Sequence, residues 1–355
     1  MNYFYYDDLG QKYYNKFDAL RSGRKINIYF YDKEFSEFNW KVEPRESLNE
    51  LYKLRAQQLR DSYDYLILAY SGGIDSTNML ETFYYNNIHI DEIIMVGAFS
   101  QDSEYGSDEN HNGEIYLNCI PTLNSFDLRN TKITYHDYTK LFDTPEKFVA
   151  FGNTEKKYQI VDNHFSIHHR WWDTPQFLNL ESKKKKTIIF GTDKPNFSIE
   201  ENRFFVSFNA FAITQLGNHC FYSKNDYNLY REFFYWSPSF PKAIAKQLHI
   251  IASFYIENIL TNKIPKEVFF SKKYYDLIRE TLIYSTVRNK LQFKSKKSNN
   301  ILSLRDSYIL KNKNSKIYED YLKQLIWANQ NFSNIQMKNG SYNENDIWSR
   351  KYFIN

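Results

Sequence analysis

Residues 65 to 76, YLILAYSGGIDS, set an unbroken apolar run against a Ser-Gly-Gly turn with no spacer between them. Six consecutive apolar or aromatic side chains, bounded by Asp64 and Ser71, read as a strand buried on both faces of a parallel sheet. Helical spacing resumes at about Asp75 and continues to Tyr85, so the turn joins a strand to a helix. That order confines the chain to the α/β class, in which strands and helices alternate.

The flanking sequence repeats the pattern. ESLNELYKLRAQQLRDS (46 to 62) reads as a helix with Leu48, Leu51, Leu54 and Leu59 on one broad face, and Ser47 and Glu50 have capping-box spacing. EIIMVGAF (92 to 99), KITYHDY (132 to 138) and TIIFG (187 to 191) are further strands, and RFFVSFNAF (203 to 211) suggests a hairpin-like addition. INIYFY (26 to 31) is β-rich. The chain divides into an N-terminal extension (1–45), an α/β domain (46–220) and a mostly helical C-terminal region (221–355). In the last of these, helices are expected over 236–260, with Pro241 in the first turn, and over 267–287.

A Ser-Gly-Gly turn between a buried strand and a helix aims backbone N–H groups and the positive end of the helix dipole at one spot, which favours an anion, phosphate above all. Gly72 and Gly73 remove Cβ atoms where backbone must approach oxygen closely. Ser71, Ser76 and Thr77 supply hydroxyl donors, and Asp75 is a candidate to hold Mg²⁺ or orient the loop. The patterns GxxxxGK[ST] and GxGxxG are absent.

Ser71-Gly72-Gly73-Ile74-Asp75-Ser76 resembles the SGGxDS signature of the PP-loop ATP pyrophosphatases, a superfamily that includes asparagine, GMP and NAD synthetases and several tRNA-modifying enzymes. At ordinary composition, its five fixed positions arise by chance about once in a few thousand chains of this length. The resemblance covers roughly residues 46 to 220. It implies a Rossmann-like, HUP-type parallel sheet flanked by helices, with ATP and Mg²⁺ as cofactors. ATP is cut between its α and β phosphates, an acceptor oxygen is adenylated, and a nucleophile displaces AMP.

Gly191 and Thr192 resemble the Gly-Thr that follows a later strand in the NAD and GMP synthetases. With the family's winding this turn shares the carboxyl edge with Ser71, so Lys194 is a candidate to neutralise pyrophosphate and Asp193 a candidate magnesium ligand. By the same analogy Val96, Gly97 and Ala98 end a strand near adenine.

Departures from family members narrow the chemistry. Met1-Asn2 has no following cysteine and no glutaminase-like segment precedes the loop, so ammonia or another amine is expected from elsewhere. Only Cys119 and Cys220 occur, far apart, which removes a zinc cluster, a disulfide scaffold and the paired thiols of sulfur transfer. The expectation is therefore a stand-alone ligase that activates a carboxylate or carbonyl oxygen of a small-molecule acceptor for an amine donor. Alternatives are an enzyme acting on a tRNA or DNA base and a non-catalytic ATP-binding module.

Other features have simpler readings. A net charge of +4 gives no global pull toward nucleic acid, and Lys183 to Lys186 and Lys290 to Lys297 are local runs that suit solvated loops. Trp171 and Trp172 beside Arg170 suit core packing or stacking on a base, and His164, His168 and His169 lack a completing metal ligand. Asp102, Glu104, Asp108 and Glu109 lie in a polar loop. Lys242, Lys246 and Arg231 are cations that a helical C-terminal region could turn toward the site. No apolar run approaches membrane-spanning length, so no membrane partner is expected. The expected compartment is cytoplasmic, that of the host if the chain is viral. Self-association into a homo-oligomer is left open.

Overall fold

The computed structural model describes residues 5–13, 22–97, 115–137, 184–191, 195–208, 217–218, 229–259, 261, 265, 281–284 and 348–355. Three strands open the chain: β1 (Tyr5–Asp7), β2 (Lys12–Tyr13) and β3 (Ile26–Ile28), an antiparallel sheet of order β2-β1-β3. A short helix, α1 (Asp32–Glu37), leads to α2 (Leu48–Ser62). The start of α2 is the expected capping box. The Glu50 amide donates to Ser47 Oγ at 3.3 Å, and the Ser47 amide donates to the Glu50 carboxylate at 2.7 Å.

The α/β unit follows as β4 (Tyr65–Ala69), α3 (Ile74–Tyr85), β5 (Glu92–Gly97), a π-helical turn (Ile115–Cys119) running into α4 (Ile120–Leu123), β6 (Lys132–Asp137) and β7 (Lys186–Phe190). After the hairpin of β8 (Asn196–Glu200) and β9 (Arg203–Ser207) come β10 (Gly217–Asn218), β11 (Leu229–Phe233), the helix α5 (Pro241–Ile259) and β12 (Tyr352–Phe353).

The main sheet has the order β10-β11-β7-β4-β5-β6, its five strands from β11 to β6 all parallel and β10 antiparallel at the edge. Renumbered from β4, the parallel strands run 3-2-1-4-5 from β6 to β11, the winding of a Rossmann-like sheet. The fold is thus α/β with helices against a parallel sheet, as expected. The sheet continues past residue 220, because β11 is its fifth parallel strand, so the α/β unit reaches beyond the expected boundary.

Period-2 alternation sorts β4 onto two buried faces. Leu66 and Leu68 join Ile93, Met95 and Ile189 against Tyr52, Ala56, Leu59, Met79, Leu80 and Phe83 of α2 and α3. Ile67 packs with Ile94 and Ile188 on the other face. Burying both faces is why the run is apolar without alternation.

The second sheet, β12-β9-β8, is antiparallel. Its hairpin turns on Glu201 and Asn202, both at positive φ, which matches the right-handed strand twist in a two-residue turn. Aromatic rings bind this sheet and the N-terminal segment to the main sheet. Phe35 stacks on Phe208 at 4.2 Å, Phe208 meets Trp236 at 5.3 Å, and Trp236 stacks on Phe233 of β11 at 5.0 Å. Residues 32–40 therefore share the common core rather than forming a separate extension. Of the expected C-terminal helices, α5 is present, and 267–287 lies outside the described residues except at 281–284. Among the described residues, no helix is long and apolar enough to cross a membrane.

Candidate functional site

The chain leaves β4 toward β5 on one side and reaches β7 on the other, so the switch in winding lies between β4 and β7. Ligands of open α/β sheets bind outside the carboxyl ends of the strands at such a point. Both predicted turns are there. Ser71 to Gly73 follow β4, and Gly191 follows β7. A Cβ added at Gly191 would stand 3.1 Å from Asp75 Cβ and 3.3 Å from Met79 Cε, so the second turn rests on the first turn of α3. Two segments more than a hundred residues apart in sequence thus meet at one edge.

Within the loop, Gly73 is the N-cap of α3 in an extended conformation and supplies no side-chain cap, so the helix begins with its dipole uncovered by any capping side chain. The serines knit the loop to itself. Ser76 Oγ donates to the Gly73 carbonyl at 3.0 Å, the Ser71 amide donates to Ser76 Oγ at 3.3 Å, and the Ser71 and Ser76 hydroxyls are 3.3 Å apart. The Gly73 amide donates to Ser71 Oγ at 3.4 Å. Bonds of 3.3–3.4 Å lie at the weak end of the range, so these donors exchange readily for the oxygens of an anion.

Two of the expected residues make close contacts within the protein. Thr77 is buried, its hydroxyl lies 3.2 Å from that of Tyr70, and its amide donates to the Gly73 carbonyl, because helical phase turns the fourth residue after the cap toward the sheet. Gly72 is required by the protein itself. At φ 72° it occupies the left-handed region, and a Cβ there would stand 2.7 Å from Cys119 Sγ and 2.8 Å from the Cys119 amide nitrogen. The backbone that Gly72 approaches is that of the π-helical turn.

Asp75, half-buried in the first turn of α3, is placed where a carboxylate is stabilised by the dipole. No group of three metal-ligating side chains occurs among the described residues. A single carboxylate at the start of α3 is a donor of the kind Mg²⁺ takes, an ion that keeps several waters and needs only one or two protein carboxylates.

Val96 and Gly97 end β5, the strand next to β4, at the same carboxyl edge. Ala98, the acidic loop, Thr192, Asp193, Lys194, the histidine and tryptophan cluster and Lys290 to Lys297 lie outside the described residues. Lys242 and Lys246 do not turn to the loop. They pair with Glu46 at 2.7 Å and Glu43 at 2.6 Å, tying α5 to the segment ahead of α2. Arg231 is buried on β11, its guanidinium over the Phe190 ring at 5.1 Å.

A residue that sequence reasoning missed stands behind the loop. The Tyr235 hydroxyl donates to the Asp75 carbonyl at 2.6 Å and accepts from Asn78 Nδ2 at 3.0 Å. Burial, and after it the nearby Asp75 carboxylate, hold this phenol well above its ordinary range. Nothing local in FFYWSP marks it.

Compared with protein families, curated proteins and solved structures, the chain matches none of them.

Proposed function

We propose that this chain is a PP-loop ATP pyrophosphatase of HUP-type fold that adenylates a carboxylate or carbonyl oxygen of a small acceptor and exchanges AMP for an amine. The observation that carries the reading is the meeting of the Ser71–Ser76 loop and Gly191 across the switch point of a 3-2-1-4-5 parallel sheet. A loop with the SGGxDS pattern at any other position in a sheet would have no access to a ligand crevice. Here it opens where such crevices form.

In this reading the amides of the first turn of α3, with the hydroxyls of Ser71 and Ser76, hold the β and γ phosphates. The acceptor oxygen attacks the α phosphorus, the bond to the bridging β oxygen breaks, and pyrophosphate leaves. An amine then attacks the activated carbon, and AMP departs with the acceptor oxygen. Donors fixed at the loop stabilise the negative charge that grows on the leaving pyrophosphate, and they need no reorganisation to do so. Mg²⁺ held by Asp75 would neutralise phosphate charge, a task in which the family resemblance also gives Lys194 and Asp193 a part.

The test is incubation with ATP labelled at the α phosphate, Mg²⁺ and fractionated metabolites and tRNA. Labelled AMP with pyrophosphate, dependent on one fraction, is the expected result and leads to the acceptor. Labelled ADP would overturn the reading. ATP binding without turnover in any fraction would leave a nucleotide-binding module in place of a ligase.

A further inference from the structure

Resting on the phosphate-loop reading above, we infer that Tyr235 is a positioning residue that holds the Asp75–Ser76 peptide of the loop in its anion-binding orientation. The Asp75 carbonyl and the Ser76 amide belong to one planar peptide unit, so whatever fixes the carbonyl fixes the N–H on its opposite side. Ser76 lies in the first turn of α3, where helix geometry supplies no intrahelical acceptor and amides point out of the N-terminus. The Tyr235 hydroxyl reaches the carbonyl side of this peptide at 2.6 Å. A donor there polarises the peptide and strengthens its N–H as a donor, the cooperativity of chained hydrogen bonds in a low-dielectric interior.

Tyr235 is itself immobilised. Its ring meets Tyr52 at 5.4 Å, Phe234 at 5.1 Å and Tyr284 at 5.1 Å, each edge to face. Gln247 Nε2 donates to its carbonyl at 3.3 Å, and Asn78, one turn along α3 from Asp75, donates to its hydroxyl. That last bond commits the oxygen's lone pair and directs its proton at Asp75. Tyr235 acts through the loop backbone from the segment that follows the fifth parallel strand.

Tyr235→Phe removes the donor and keeps the ring contacts. Two readouts separate this inference from the reading beneath it. Amide hydrogen exchange of residues 71–77 in the free protein is expected to quicken several-fold in Tyr235→Phe relative to the rest of α3. Affinity for ATP and for inorganic pyrophosphate is expected to fall about fivefold, the equivalent of about 1 kcal/mol for one hydrogen bond, while adenosine binding is unchanged.

Asn78→Ala, which strips the same hydroxyl of its orienting partner, is expected to give a smaller shift in the same direction. Unchanged loop exchange with unchanged pyrophosphate affinity overturns the inference. Equal losses for adenosine and pyrophosphate, with exchange raised across all of α3, also overturn it, since that is general loosening. Faster loop exchange in a protein whose wild type binds neither ATP nor pyrophosphate upholds the positioning role and rejects the ATP reading.

Discussion

Gly72→Ala isolates the contact between the loop and the π-helical turn. Alanine at φ 72° is in the left-handed region, which costs an L-residue about 1–2 kcal/mol. The new Cβ would also stand 2.8 Å from the Cys119 amide nitrogen and 3.1 Å from Cys119 Cα, well inside the roughly 3.5–4.0 Å of relaxed contact. Because those atoms are backbone, relief requires moving the turn, and overpacking of this kind costs about 1–3 kcal/mol. The sum, roughly 2–5 kcal/mol, is a large part of a typical domain's stability of about 5–15 kcal/mol.

Urea unfolding measures it as a lowered midpoint at unchanged slope. Two comparisons sharpen the test. Gly73→Ala sits at φ −73° and ψ 166°, ordinary extended backbone, and is expected to cost no more than about 1 kcal/mol. Adding Cys119→Ala to Gly72→Ala removes the 2.7 Å clash with sulfur and leaves the backbone clash, so it should restore little. A Gly72→Ala midpoint within about 0.5 kcal/mol of wild type, or full rescue by Cys119→Ala, would refute the reasoning.

Asp75→Asn keeps the size of the side chain and removes its charge; stability should fall by no more than about 1 kcal/mol, the lost dipole interaction, while Mg²⁺-dependent AMP formation drops by about 100-fold or more, and undiminished turnover would exclude the metal role. Arg55 is 2% exposed, pairs with Glu232 at 2.8 Å and donates to the Phe233 carbonyl at 2.9 Å. Arg55→Ala removes the cation beside Glu232, which is 16% exposed and still accepts from the Tyr63 hydroxyl at 2.6 Å, so it should cost about 2–4 kcal/mol in urea, and a loss under about 1 kcal/mol would show the pair to be solvated. Burial holds the His136 imidazole below its ordinary 6.5, so the folded state binds fewer protons than the unfolded one. The stability this contributes is complete above about pH 6.5 and is lost as pH falls from there through the folded value, and His136→Gln should flatten that part of the unfolding profile.

The local elements were legible because their causes are local. The apolar run 65–70 and the Gly-Gly break after it produce β4 and the start of α3, and Ser47 with Glu50 caps α2 through atoms three residues apart. The α/β class and the position of the Ser-Gly-Gly turn follow from such short-range pattern. Side-chain direction within the turn did not follow, since Thr77 points wherever the phase of α3 and the packing of Tyr70 send it.

The remainder depends on contacts between distant segments, which a linear pattern does not encode. The sequence determined that a Ser-Gly-Gly loop would end one strand and that a glycine would end another. Tertiary structure alone decided that β7 lies beside β4, bringing Gly191 onto Asp75. It also decided that Cys119 would occupy the space Gly72 leaves open, and that Tyr235, 160 residues from Asp75, would reach its carbonyl. Strand order is set by which crossovers bury both faces of the sheet, and that is a property of the packed chain as a whole.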